Sequence, residues 1–90
     1  MDWERVRALE QRRDLKTKTG KPFRISRVTA SVVFIDLPSG EQSVSRASLE
    51  KAELLVLSGV RLAGPLDYRT LVADERPAYA WAILRKLDIV

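Results

Sequence analysis

The sequence predicts an α+β fold: an N-terminal helix, a three-stranded antiparallel β-meander, and two to three C-terminal helices packed on one face of the sheet. Apolar residues recur at helical spacing near both ends of the chain. Between them, short apolar or alternating runs are separated by Gly, Pro and Ser, which is typical of strands joined by tight turns. Ninety residues support one modest core, so residues 1–90 are expected to form a single small domain.

Asp2 can cap a first helix that runs from about Trp3 to Asp14. The apolar residues of this helix share one broad face, which we expect to be buried: Trp3, Val6 and Leu9. If the helix reaches Lys16, three basic residues share an adjoining face and form a basic ridge: Arg5, Arg12 and Lys16.

Three consecutive segments are predicted to form the meander. Phe23 to Val28 alternates, with Phe23 on one face and Arg24 on the other. Val32 to Leu37 is almost entirely apolar, so it is the candidate for the central strand. The residues 38–40, Pro-Ser-Gly, suit a tight turn. Glu41 to Ser45 then returns as the third strand, with Val44 facing the core.

The C-terminal half carries helix start and stop signals. Ser45 or Ser48 caps the second helix, and Gly59 ends it. Because this helix is rich in leucine, we expect it to be the most buried helix. Pro65 suits the first turn of a short third helix that continues through Leu71.

Asp74 is the predicted cap of the last helix, which tolerates Pro77 in its first turn. The spacing of the apolar residues predicts its inner face: Tyr79, Ile83, Leu84 and Leu87. Trp81 lies half a face away from this stripe.

Positive charge is concentrated in the first third of the chain. Residues 1–27 carry nine Lys/Arg and four Asp/Glu, whereas residues 28–90 carry seven and eight, for a total of +4. Such asymmetry is typical of a protein with an anionic partner, most often nucleic acid. A solvated helix surface and strand edge would give the same pattern, so both interpretations stay open.

The stretch KTKTGKPF, residues 16–23, contains lysines and a glycine but does not match a phosphate-binding loop. In that motif four residues separate a first glycine from Gly-Lys, and Ser or Thr follows the lysine. Here Leu15 occupies the first glycine position, and Pro22 follows Lys21. The stretch also follows a predicted helix and precedes a predicted strand, the reverse of the required order. We therefore expect a turn that introduces the first strand.

The sequence offers few residues for catalysis. It has no His and no Cys, which excludes Ser-His and Cys-His nucleophilic sites and metal sites built on imidazole or thiolate. The acidic residues are scattered along the chain. A histidine-free nuclease would need Tyr beside Arg, and the candidate pairs are Tyr68 with Arg69 and Tyr79 with Arg76. We expect both tyrosines to pack at the edge of the core, and we expect no enzyme activity, no cofactor and no metal.

The first functional hypothesis is a non-catalytic nucleic-acid-binding module with duplex DNA as its expected target. Seven residues of the basic segment would supply the contacts: Arg12, Arg13, Lys16, Lys18, Lys21, Arg24 and Arg27. Six phosphate contacts would give a salt slope of about −5 on duplex DNA. The large aromatic candidates for base stacking, Trp3 and Trp81, are expected in the core. Binding should therefore involve mainly the phosphate backbone, with weak sequence preference.

The second hypothesis is a protein–protein interaction or oligomerisation module. The C-terminal helices carry more apolar residues than one small core requires. The candidate interface residues are Leu54, Leu57, Trp81 and Leu84.

The order helix–strand–strand–strand–helix resembles that of the double-stranded RNA-binding domain. That family uses a lysine cluster at the start of its last helix to contact phosphates. At the matching place, SVSRASLEKAE, this chain has Arg46 and Lys51 beside Glu50 and Glu53. The resemblance therefore covers the topology and lacks the functional motif.

Four short motifs follow one another along residues 17–84: Gly-Lys-Pro-Phe, Ser-Gly in the strand turn, Ser-Arg before a helix, and Pro-Ala-Tyr before the last helix. In this respect the chain resembles small accessory domains that accompany larger bacterial proteins, including restriction- and defence-type nucleases. The resemblance implies an attached, non-catalytic recognition or docking role, and it transfers no catalytic residues.

No apolar run approaches the ~20 residues of a membrane helix, and residues 1–10 lack the apolar stretch of a signal peptide. The absence of cysteine gives no hint of an oxidising compartment. We therefore expect a cytoplasmic protein with no membrane partner.

Overall fold

The computed structural model describes all 90 residues and has the predicted α+β architecture. Its elements in chain order are α1 (Trp3–Arg7), which continues as a 3-10 turn (Ala8–Gln11), β1 (Arg24–Val28), β2 (Val32–Leu37), β3 (Gly40–Ser45), α2 (Arg46–Leu57), α3 (Pro65–Leu71) and α4 (Pro77–Lys86). None of the helices has both the length and the apolar composition needed to cross a membrane.

The three strands form an antiparallel sheet in the order β1-β2-β3, so β2 is central as its apolar sequence predicts. Val33, Ile35 and Val44 are fully buried on the face that meets the helices. Strict alternation along β1 would place Ile25 and Val28 on opposite faces. A bulge at Ser26 shifts the register, so that both side chains enter the core.

The same bulge gives β1 two outward-facing arginines. Arg24 lies opposite Asp36, and Arg27 lies opposite Phe34. Because Val33 and Ile35 point into the core, Phe34 and Asp36 point to the other face of the sheet. The helices pack on the core face, so this outer face is open to solvent.

The most buried helix is α4, and the prediction that α2 would be is wrong. Five consecutive residues of α4, Ala80–Leu84, are buried, whereas α2 buries Leu49 and Ala52. The α4 helix packs against α3, and its Tyr79 ring meets Phe23 edge-on with ring centroids 5.2 Å apart. The middle of α4 is therefore enclosed on all sides, whereas α2 covers the core with one narrow stripe.

The first helix is shorter than predicted, because it ends at Gln11 rather than near Asp14. Arg12 is extended, and the chain then turns to bring Leu15 into the core. The Glu10 carboxylate accepts a hydrogen bond from the Val28 amide at 2.6 Å, which ties the 3-10 turn to the edge of β1. The predicted basic ridge of Arg5, Arg12 and Lys16 on one helix face therefore does not form.

Three helix caps were predicted. The Asp2 cap of α1 is confirmed, because its side chain accepts a hydrogen bond from the Glu4 amide. Of the two candidates for α2, Ser45 is the cap, because its hydroxyl accepts a hydrogen bond from the Ser48 amide. The cap of α4 is Arg76 and not Asp74. Arg76 has φ +47°, in the left-handed region that residues other than glycine rarely adopt, and Pro77 is the first helical residue.

Candidate nucleic-acid interface

The residues of KTKTGKPF form most of a short β-hairpin, which we call the basic hairpin and define as Leu15–Phe23. The Phe23 amide donates to the Leu15 carbonyl at 3.0 Å, and the Thr17 amide donates to the Lys21 carbonyl at 2.9 Å. The turn closes with the Gly20 amide on the Thr17 carbonyl at 2.9 Å. Gly20 has φ +91°, where only glycine is free of strain. The stretch is thus a hairpin that leads into β1, and the amides that close it bond within the hairpin.

The basic hairpin is fixed to the domain from two sides. Leu15, Thr17 and Phe23 are buried beneath it. At its tip, the Lys18 ammonium donates to the Ala63 carbonyl at 2.9 Å and lies 5.6 Å from the Trp81 ring centroid. Lys18 therefore holds the tip against the α2–α3 connection, which makes it a weaker candidate for phosphate contact than the sequence indicates.

Arg12 is occupied by a neighbouring carboxylate. It donates twice to Asp14, at 2.8 Å from Nε and 2.6 Å from Nη2, and Lys86 donates to the same carboxylate at 2.7 Å. Hydrogen bonds from Arg12, and then from Lys86, hold the pKa of Asp14 far below its usual value. The Asp14 hydrogen bond and charge raise the pKa of Arg12. Arg12 is thus neutralised locally.

Arg27 lies on the outer face of the sheet in a defined position. Its guanidinium carbon is 4.0 Å from the Phe34 ring centroid, and Nη2 is 3.3 Å from the Glu41 carboxylate. Arg27 therefore combines a cation–π contact with an exposed ion pair.

Five of the sixteen lysines and arginines have no side-chain hydrogen bond or ion pair: Arg13, Lys16, Lys21, Arg24 and Arg61. Four of them fall within residues 13–24, on the basic hairpin and the chain that flanks it. We call these four residues the free basic set. Lys16 and Pro22 pair across the hairpin, so the two arms that carry the set lie side by side.

A polar groove joins the two arginines of the free basic set. It has a volume of about 460 Å³ and lies between the 3-10 turn and β1. Arg13, Arg24, Gln11, Ser26 and Asp36 are among its lining residues. Asp36 lies opposite Arg24 in the sheet, but no ion pair forms between them within 4 Å. Both guanidinium groups are therefore available to a ligand in the groove.

Of the four residues predicted to form an apolar interface on the C-terminal helices, two are buried and two are exposed. Leu84 is fully buried and Trp81 is buried with its indole N–H donating to the Leu62 carbonyl at 3.0 Å, so their placement on a docking surface is wrong. Leu54 and Leu57 are exposed by 64% and 77% on α2. Leu66 on α3 is exposed by 73% and was missed by the sequence analysis.

The arginines of the two tyrosine–arginine pairs considered for catalysis have other partners. Tyr68 is fully buried and its hydroxyl has no hydrogen-bond partner. Burial, and then the nearby charge of Glu75, raise the pKa of Tyr68 far above its usual value. Arg69 pairs with Asp74, and Arg76 donates to the Gln42 side chain. A buried, unreactive phenol cannot act as a general base on a macromolecular substrate.

Phe34 is the aromatic residue that the sequence analysis overlooked. The sequence analysis used the nearly continuous apolar run of β2 to assign the central strand, and it did not consider Phe34 as a stacking group. The helices cover one face, and Phe34 stays half-buried on the other without packing against the core cluster. The predicted topology could have indicated this exposure. When helices cover one face of a three-stranded sheet, alternate residues of the central strand face solvent on the other.

Comparison of the chain with protein-family models, with curated proteins and with solved structures finds no match.

Proposed function

We propose that this protein is a non-catalytic nucleic-acid-binding module that contacts the phosphate backbone through Arg13, Lys16, Lys21 and Arg24. The observation that supports this proposal is their lack of side-chain partners, when nearly every other lysine and arginine has one. A cation that already pairs with a carboxylate must lose that contact to bind a phosphate. An unpaired cation loses only its hydration and counterions.

The structure revises the number of expected contacts. With four contacts in place of six, the salt slope on duplex DNA becomes about −3.6 rather than about −5. Arg12 and Lys18 drop out because Asp14 and the Ala63 carbonyl occupy them. Arg27 retains a separate role on the sheet.

On charge alone, duplex DNA is the expected target because its phosphate density is higher than that of a single strand, and backbone contacts should give weak sequence preference. The motif pattern supports an accessory role beside a larger bacterial protein, such as a restriction- or defence-type nuclease. A cytoplasmic location accords with the cysteine-free composition.

Fluorescence anisotropy with labelled duplex DNA, single-stranded DNA and RNA tests the proposal. Between 50 and 200 mM salt, affinity for duplex DNA should fall about a hundredfold if four phosphates are contacted. The double variant Lys16→Glu/Lys21→Glu should abolish binding at either salt concentration.

The matched control is Arg61→Glu/Arg69→Glu. It reverses two charges, as the hairpin variant does, at exposed sites outside the free basic set, and the surface ion pair of Arg69 contributes little to stability. A loss of binding as large as that of the hairpin variant would indicate a response to net charge and contradict the assignment of the site. No binding of any polymer at 50 mM salt would overturn the proposal.

The exposed leucines support a second candidate, a protein-interaction or oligomerisation module. Leu54 and Leu57 lie one turn apart on α2, and neither is needed for the core. Sedimentation equilibrium of the wild type and of Leu54→Ser/Leu57→Ser tests for self-association. Self-association that disappears in the variant and persists at 500 mM salt supports this function, because apolar contacts are insensitive to ionic strength.

A further inference from the structure

Phe34 occupies the middle of the outer face of the sheet. It lies in the central strand, opposite Arg27 on β1 and Ser43 on β3. It is half-buried, yet it does not pack against the core, and neither does Val32 on the same face. A large aromatic side chain at such a position stabilises the core very little, so its placement calls for another explanation.

Arg27 covers the Phe34 ring and is itself held from the side. The Glu41 carboxylate lies 3.3 Å from its Nη2 and accepts a hydrogen bond from the Ser26 hydroxyl at 2.8 Å. The Arg27 side chain is nevertheless 57% exposed. A planar, oriented guanidinium with an exposed side is a surface on which a nucleic-acid base can stack.

The free basic set borders this position on one side. Arg24 lies on the same face of the same strand as Arg27, and Arg13 lines the groove next to Arg24. Lys21 lies just before β1. Phosphates held along the edge of β1 would leave attached bases free to reach across one strand spacing, about 4.8 Å, to Phe34.

The two acidic residues of the outer face also favour a phosphate backbone that lies along the edge of β1. Asp36 and Glu41 lie on β2 and β3, on the far side of Arg24 and Arg27 from the β1 edge. They would repel a phosphate backbone that ran along β3. The backbone is therefore confined to the β1 edge, where the free basic set lies.

We propose that Arg27 and Phe34 form a base-stacking position, and that the preferred ligand of the protein is single-stranded nucleic acid rather than duplex DNA. This inference rests on the proposed function, since the free basic set supplies the phosphate contacts. Bases in a duplex are stacked on both faces and are out of reach of a flat protein surface, whereas bases of a single strand can be splayed onto aromatic and arginine side chains.

Four 15-nucleotide probes test the inference by fluorescence anisotropy at 50 mM salt: oligo(dT), oligo(U), a duplex, and an oligomer of abasic deoxyribose phosphates. The abasic oligomer presents phosphates without bases, so it reports on the free basic set alone. The DNA and RNA strands separate the two sources of single-stranded ligand. The wild type should bind the single strands more tightly than the duplex and the abasic oligomer.

Three substitutions probe the stacking position. Phe34→Leu removes the ring, and Arg27→Lys keeps the charge but removes the planar group. Each should weaken binding of the single strands by about 5- to 150-fold and leave the abasic oligomer unchanged. Phe34→Tyr retains an aromatic face and should bind like the wild type. The matched control Val32→Ala, on the same face of the same strand, should also bind like the wild type.

The outcomes separate the inference from the proposed function. If the abasic oligomer and the duplex bind as tightly as oligo(dT), and neither Phe34→Leu nor Arg27→Lys changes any affinity, the stacking position is overturned while backbone binding stands. If no probe binds, both proposals fail. Should Phe34→Leu unfold, Arg27→Lys alone decides the question, because it changes an exposed side chain.

Discussion

The basic residues of two regions, the segment of residues 13–24 and the helical segment of residues 46–90, differ in how they are paired. In the helical segment, Arg61 is the one basic residue of seven without a side-chain partner. In residues 13–24, four of the five have none, and Lys18 is the exception. The net charge of the chain therefore hides a local concentration of available cations.

The difference follows from the backbone. Helix ends and the chain beyond them leave carbonyl groups unpaired, and these accept from basic side chains: Lys51 donates to the Val72 carbonyl and Arg85 to the Val90 carbonyl. In the basic hairpin, the carbonyls of Leu15, Thr17 and Lys21 already accept from amides of the facing arm or the turn. Lys16 and Lys21 of the hairpin consequently project into solvent.

The largest expected effect separates the stability of the two regions. Leu84→Ala, at a fully buried site on α4, should lower the free energy of unfolding by about 2–5 kcal/mol. Lys16→Ala, in the basic hairpin, should change it by less than about 0.5 kcal/mol. Urea denaturation of both variants measures the contrast. A loss above about 1 kcal/mol for Lys16→Ala would mean that the hairpin cations support the fold and are not free for a ligand.

The next prediction concerns Arg12 and Lys86, two paired cations that one substitution should make available to a ligand. Asp14→Asn removes the carboxylate that holds Arg12 and Lys86, so both become available beside the free basic set. Affinity for oligo(dT) at 50 mM salt should rise, and the salt slope should steepen by up to about 1.4 for two added contacts. Anisotropy titrations at several salt concentrations measure both quantities. An unchanged slope would show that the ligand runs elsewhere.

Features that depend on neighbouring residues were predicted from the sequence, whereas features that depend on distant contacts were not. Strand order and the inward Val44 were predicted correctly, and the cap of α2 was narrowed to two serines of which Ser45 is the cap, because alternation and capping depend on neighbouring residues. The end of the first helix was missed because it depends on Glu10 binding the Val28 amide.

The availability of each cation could not be predicted either. The Lys18 ammonium donates to the Ala63 carbonyl. Lys86 donates to the Asp14 carboxylate that also binds Arg12, and Lys86 and Asp14 are 72 positions apart in the sequence. Such pairings arise when the chain folds back on itself, and local sequence patterns do not encode them. The interface hypothesis grouped Leu57 with Leu84, although Leu57 is exposed and Leu84 is buried, because both residues fit an apolar helix face.

The smallest expected effect concerns the one buried side-chain polar atom that has no hydrogen-bond partner. The Tyr68 hydroxyl is buried without a partner, so Tyr68→Phe removes a desolvated donor and loses no hydrogen bond. We expect the variant to be as stable as the wild type or more stable by up to about 1 kcal/mol at pH 7, as measured by urea denaturation.

The same substitution has a defined pH dependence. Burial and the charge of Glu75 raise the pKa of Tyr68 in the folded state, whereas in the unfolded chain it titrates near its ordinary value of about 10. The unfolded state therefore loses its proton first, and the wild type loses stability as the pH rises above about 10. The variant lacks this loss, so its advantage should widen between pH 9 and 11. An advantage that stays constant over that range would mean that Tyr68 ionises as readily in the folded protein as in the unfolded chain.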